Sequence, residues 1–159
     1  RSRCCKCAAH ECPFCGRVRP TIAQIEQEYG NRVRFVWRNY PLPFHQNAGP
    51  AAQASTEIFR QGGNAKFWAF HDLVFEQVGA YPLGRIERDA ERLGLDMARF
   101  RACLQSGEGM EAVKRDIAEA GKIGVPSTPT YVVNGVPMMG ALNPAMFEEM
   151  AAVLREARR

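Results

Sequence analysis

The chain has 159 residues, a formal net charge of +4, a hydrophobic fraction of 46% and a charged fraction of 24%, the make-up of one ordinary globular domain with a real core. Its charge is spread along the chain apart from Arg155, Arg158 and Arg159, so neither nucleic acid nor an anionic membrane is expected as a partner. No apolar run approaches the ~18 residues of a membrane span and none opens the chain as an export signal would; a start at Arg1-Ser2-Arg3 without Met is expected of a mature form or a fragment.

Residues 1–11 carry the weakest structural signal. Cys4, Cys5, Cys7, Ala8 and Ala9 allow a short strand, but β-branched and aromatic residues are missing. A helix is expected from Pro13 to Tyr29, with Val18, Ile22, Ile25 and Tyr29 on one face and Gly30-Asn31 as its stop. Val33–Tyr40 reads as a strong strand, broken by Pro41-Leu42-Pro43.

Helices are then expected over Ala48–Arg60, ending at Gly62-Gly63, and over Ala65–Gln77 with Asn64 as N-cap. Leu83–Leu93 follows, then a helix capped by Asp96 and running through Leu104, and Met110–Ile123 after Gly107–Gly109. The turn Gly124–Pro129 leads into a strand Thr130–Val133, the hairpin signal Asn134-Gly135 and a short strand Val136–Met139. Asn143-Pro144 opens a last amphipathic helix carrying Met146, Phe147, Met150, Val153 and Leu154. This order predicts an α/β fold, β-α-β then β-β-α on one mixed sheet. Residues 1–47 and 124–159 form that unit, and 48–123 are a helical domain inserted into it.

Cys12-Pro13-Phe14-Cys15 concentrates the chemistry. Pro13 suits the first helical position, which puts Cys12 at a helix N-terminus among unpaired amide donors. A thiol in such a setting loses its proton at about pH 3.5–7.5. Cys15 lies one turn further on the same face, so the two sulfurs can meet. The pattern points to dithiol–disulfide exchange, with Cys12 as the attacking thiolate and Cys15 as the resolving thiol.

From Glu11 to the C-terminus the sequence resembles the DsbA-like thiol–disulfide oxidoreductases of the thioredoxin superfamily. The resemblance rests on Glu11-Cys12-Pro13-Phe14-Cys15, on the strand Val33–Tyr40 running into Pro41-Leu42-Pro43-Phe44-His45, and on Gly124-Val125-Pro126-Ser127-Thr128-Pro129-Thr130-Tyr131-Val132-Val133-Asn134-Gly135. It implies a thioredoxin-like fold with a helical insertion and a cis-proline at Pro129, preceded by Thr128 and facing the cysteine pair. It further implies an extended substrate strand lying beside Thr128, with Pro13 and Phe14 in the contact surface. The implied activity is disulfide exchange with cysteine-containing proteins, as an oxidase of exported proteins in the periplasm or another extracytoplasmic space. A membrane, quinone-linked partner of the DsbB type would reoxidise it, and no bound cofactor is needed because the cysteine pair is the redox group.

Two departures stand out. Phe14 occupies the position where the strongly oxidising members carry His, so weaker stabilisation of the reduced form is expected and reductase or isomerase activity is the alternative. Residues 1–10 replace the family's apolar central strand, either as a strand lined by cysteines or as a misread or truncated start.

The rival reading is structural zinc on Cys4, Cys7, Cys12 and Cys15, two C-x-x-C pairs with His10 between them. The four residues between the pairs are fewer than in a zinc ribbon. Cys103 is expected to be a small buried apolar residue, His45 a loop residue, His71 a helix-surface residue and Glu11 a solvated side chain.

Overall fold

The computed structural model describes residues 2–76, 81–140 and 144–156; Arg1, Gln77, Asn143, Arg158, Arg159 and the side chain of Phe147 lie outside that description. Four strands make one sheet: β1 (Ser2–Ala8), β2 (Val33–Asn39), β3 (Thr130–Val133) and β4 (Val136–Met139), in the order β2-β1-β3-β4. β1 runs parallel to β2, while β3 is antiparallel to both β1 and β4. This is the mixed sheet of the thioredoxin-like fold.

β1 is therefore a full central strand, the cysteine-lined alternative expected for residues 1–10. Its backbone pairs on both edges, with Lys6 opposite Trp37 on β2 and Tyr131 on β3. A strand covered on both faces needs small or apolar side chains rather than strict alternation. Cys4, Cys7 and Ala8 meet that need and are buried, the cysteines acting as small hydrophobes.

The helix expected over 13–29 is two helices, α1 (Pro13–Arg17) and α2 (Arg19–Tyr29), with a break at Val18. Pro20 is the cause: it has no N–H to give the Gly16 carbonyl, and its ring crowds that turn. The ladder resumes where Ile22 N–H reaches Val18 O at 3.0 Å. Val18, Ile25 and Tyr29 then pack with Cys4, Tyr131 and Val133 of the sheet and with Met150, Ala151 and Leu154. The last three belong to the C-terminal helix α7 (Pro144–Glu156).

Between β2 and β3 stand α3 (Ala48–Phe75), α4 (Leu83–Arg92), α5 (Met97–Ser106) and α6 (Glu108–Lys122). The two helices expected over 48–77 run end to end as α3, broken at Gly63, whose φ of 61° and ψ of −157° are open to glycine alone. Asp96 caps α5 by accepting the Arg99 N–H at 3.1 Å. Ile58, Phe70, Val74, Tyr81, Ile86 and Phe100 join a separate apolar cluster among these helices. Asp116 of α6 fastens this block to the sheet, accepting from Arg38 at 3.0 Å and from the Asn39 N–H at 2.9 Å.

Candidate active site

β1 ends at Ala8, and the turn after it is held by Cys12 N–H donating to Ala9 O at 3.1 Å. Cys12 is the N-cap of α1 with extended backbone, and Pro13 occupies the first turn. From that position Cys12 Sγ points across to the Thr128 carbonyl, 3.6 Å away. The Thr128–Pro129 peptide bond is cis, and Thr128 is buried beside Cys12. Residues 116 positions apart thus form one site. Gly140 N–H holds the loop from its other side by donating to Pro129 O at 2.8 Å. Phe14 is half exposed on the same surface, with the Arg17 guanidinium 5.3 Å above its ring.

Cys12 and Cys15 stand as free, buried thiols, and their environments push them apart. The hydrogen bond from the Cys15 thiol lowers Cys12 most; the Thr128 hydroxyl and the Cys15 and Phe14 amides add to it and overcome burial, bringing Cys12 from 9.0 to about 5. Cys15 moves the opposite way: it is fully buried, it donates to Cys12 and it faces that thiolate, so its thiol is held far above 9.0. One sulfur is an anion at neutral pH and the other a thiol. Such a split is the condition for stepwise disulfide exchange.

Three further side chains surround the pair. Lys6 reaches from β1 beneath α1, its Nζ donating to Cys15 O at 3.2 Å, with the Trp37 and Phe75 rings 5.4 and 5.5 Å from the ammonium. His10, fully enclosed, stacks on Trp37 at 4.4 Å and meets Phe70, His71 and Phe75 edge-on or tilted. Glu11 accepts from the Asn47 amide and side chain, both at 2.8 Å, and from the Tyr81 N–H at 3.3 Å.

Glu11 therefore ties the motif to the start of α3 and is not a solvated side chain. Burial raises its carboxyl, but the bonds from Asn47 and Tyr81 outweigh that and hold it below 4.5. His71 is likewise not on the helix surface: it is 7% exposed, because this face of α3 turns its aromatic residues towards β2. Its neighbour Asp72 points outward to Arg19 at 2.9 Å. Sequence patterning does not single out Lys6, because residues 1–10 carry a weak strand signal; once Ser2–Ala8 is a strand, the period of two puts Cys4, Lys6 and Ala8 on the face that meets α1.

The zinc reading is overturned by the same period. Cys4 and Cys7 point to opposite faces of β1, Cys4 packing with Val18 and Ile25 and Cys7 with Ala120 and Val125. Among the described residues no three His, Cys, Asp or Glu side chains are placed to hold a metal ion. Cys103 is a buried residue of α5.

A family model described as Thioredoxin matches residues 4–153. A sodium/proton antiporter NhaA of Salinispora tropica is 36% identical over an alignment of 154 residues that covers 94% of this chain and 22% of that protein; the chain spans about a fifth of the length of such curated relatives. The structure of BdbD from Bacillus subtilis superposes with a TM-score of 0.82 at 20% identity, covering 97% of this chain and 88% of that one. That of the thiol–disulfide exchange protein α-DsbA2 from Wolbachia pipientis gives 0.81 at 14% identity, covering 98% and 81%. With the family match spanning nearly the whole chain and this fold beneath it, the protein belongs to the thioredoxin family, with the DsbA-like form of its fold.

Proposed function

We propose that this protein exchanges disulfides with cysteine-containing proteins through Cys12 and Cys15, in the oxidising direction. The observation that carries the reading is the opposed pair, Cys12 lowered to about 5 and Cys15 raised, beside the Thr128–Pro129 loop. In the oxidised protein a substrate thiolate attacks Cys12 Sγ; the Cys12–Cys15 bond breaks and Cys15 leaves with the electron pair. A second substrate thiolate then attacks the substrate sulfur of the mixed disulfide, and Cys12 leaves as a thiolate. The substrate gains a disulfide and the protein is left with two reduced cysteines. Thr128 and Pro129 hold the substrate strand, and the exposed Phe14 ring with Pro13 supplies apolar contact.

Leaving-group chemistry supports that direction. A thiol of low pKa leaves a mixed disulfide faster and stabilises the reduced protein, which makes its disulfide the stronger oxidant. The compartment is extracytoplasmic, as the DsbA-like resemblance implies, with reoxidation by a membrane redox partner. No helix among the described residues is long and apolar enough to cross a membrane.

Equilibration in glutathione buffers, followed by alkylation and weighing of the peptide holding both cysteines, tests the proposal. A two-electron transition near about −120 mV is expected, and one near about −270 mV would reverse the direction to reductase. Cys12→Ser should abolish turnover and Cys15→Ser should trap mixed disulfides; turnover in Cys12→Ser would refute the mechanism.

A further inference from the structure

Lys6 is an unusual residue to find in the centre of a sheet. It is 7% exposed, and a buried ammonium is costly unless its charge and its donors are met. Of its three N–H donors, one goes to Cys15 O at 3.2 Å. The others meet no oxygen acceptor among the described residues, only the rings of Trp37 and Phe75 at 5.4 and 5.5 Å. No carboxylate among those residues pairs with it either. Of the nearby sulfurs, Cys4 and Cys15 are held as thiols by burial, and Cys12 Sγ is turned towards Thr128 O at 3.6 Å. Burial accordingly holds Lys6 below the ordinary 10.5.

This ammonium lines a groove of about 590 Å³ between α2, β2 and α3, within the size range of sites for small organic molecules. Ile22 and Ala23 of α2, Phe35 of β2 and Trp68 of α3 give the groove an apolar wall. The remaining charges are already answered or lie in water. Asp72 is committed to Arg19 at 2.9 Å and to His71 at 3.3 Å, and burial keeps His71 neutral above the acid range. Glu26 is exposed. The groove thus combines a buried cation that lacks a carboxylate, an apolar wall, and negative charge on its solvent side.

We propose that this groove binds a small amphipathic monocarboxylate, whose carboxylate accepts from Lys6 Nζ and whose apolar tail lies along Ile22, Phe35 and Trp68. The lining selects the class. An inorganic anion would leave the apolar wall in water, and an uncharged oily molecule would leave Lys6 without a counterion. A dicarboxylate would bring its second charge against Glu26 and Asp72. No cysteine takes part, so the inference stands apart from the exchange reading.

Calorimetric titration of the whole protein with octanoate, kept below its micelle range, tests the proposal. Saturable binding is expected. Neither 1-octanol, which lacks the charge, nor octanedioate, which doubles it, should bind within about 10- to 100-fold of octanoate, the scale of a lost charge-assisted hydrogen bond. Lys6→Met keeps the apolar stem and should weaken octanoate by about the same factor. Ala23 is exposed on α2, so Ala23→Glu leaves the core untouched; its carboxylate on the groove wall should weaken octanoate as well. Emission from Trp68, one of the two tryptophans, should move to the blue as the tail covers it, and Trp68→Phe should remove that shift. Wild-type affinity in both Lys6→Met and Ala23→Glu would put the octanoate elsewhere, for example on the exposed Phe14 and Phe44 rings, and would overturn the site. Equal affinity for octanoate and 1-octanol would overturn recognition of the charge. Octanedioate binding as tightly as octanoate would overturn the selection of a monocarboxylate. Absence of octanoate binding would leave water as the partner of Lys6 and overturn the proposal outright.

Discussion

The lowered Cys12 thiol gives the sharpest prediction, and its magnitude can be worked through. With a pKa of about 5 instead of 9.0, Cys12 is ~99% thiolate at pH 7 where an ordinary buried-free thiol would be ~1%, a gain of about 100-fold in the reactive form. Intrinsic nucleophilicity falls with pKa at a Brønsted slope of about 0.4–0.5, so four units remove about 40- to 100-fold. The two nearly cancel. At pH 7 the rate of Cys12 attack should therefore be close to that of a free thiol, and the benefit should lie in Cys12 as leaving group. The pH profile is where the shift becomes visible. Alkylation of the reduced protein by iodoacetamide, followed by peptide mass, should be flat from about pH 6 to 8 and fall tenfold per unit below about 5. Cys15, buried and held as a thiol, should stay unmodified throughout. A rate that climbs tenfold per unit up to pH 9 would refute the hydrogen-bond account of the site. The same shift has a sign in stability: a depressed thiol stabilises the folded reduced form above 9.0, and that contribution is lost as pH falls through about 5. Cys12→Ser should abolish this slope between those limits.

Three further outcomes follow from the surroundings of the pair. Cys4→Val with Cys7→Val should raise the melting temperature or leave it within about 1 kcal/mol, since both sites are buried and apolar; a loss above about 3 kcal/mol in a denaturant titration would mean that the cysteines of β1 do more than fill space. Glu11→Gln removes the charge from three hydrogen bonds and should cost about 1–3 kcal/mol in the same titration, with an unchanged midpoint counting against the tie between the motif and α3. His10 and His71 are both held neutral by burial, below 6.5, so the stability they contribute is present above that value and lost as pH falls below it. Each can remove up to about 1.36 kcal/mol per unit, and His10→Phe should flatten the acid limb of a melting profile measured between pH 7 and 4.

The sequence was most legible where chemistry and local geometry coincide. Pro13 after Cys12 is a helix start whatever surrounds it, and Asn134-Gly135 forces a hairpin in which Asn134 takes a φ of 50°. β1 was hard to read because a central strand is decided by its neighbours: the pairing of Cys4 to Phe35 and Val133, and of Lys6 to Trp37 and Tyr131, comes from three separated segments. The kink at Val18 was hidden by a correct apolar period, since Val18, Ile22 and Ile25 keep their face across the break. His71 and Glu11 were misplaced for one reason, that the burial of a polar side chain depends on which helix passes over it. Neither composition nor spacing records that α3 lies across the end of β1.

Phe14 shows how a local rule and a site can diverge. Judged alone, an apolar ring where strong oxidants carry His removes a donor to the thiolate and argues for a weaker oxidant. The structure supplies the donors from elsewhere: the Cys15 thiol first, then the Thr128 hydroxyl and the amides of Cys15 and Phe14 itself. Three of these are main-chain or motif groups that any residue at position 14 would leave in place, so the side chain there is free to serve contact. Phe14→His should then move the Cys12 alkylation profile by well under the shift already present, while changing which peptides are oxidised. A further drop of about two units or more in the Cys12 profile would show that residue 14 governs the thiolate after all, and that Phe14 holds this protein away from the oxidising extreme.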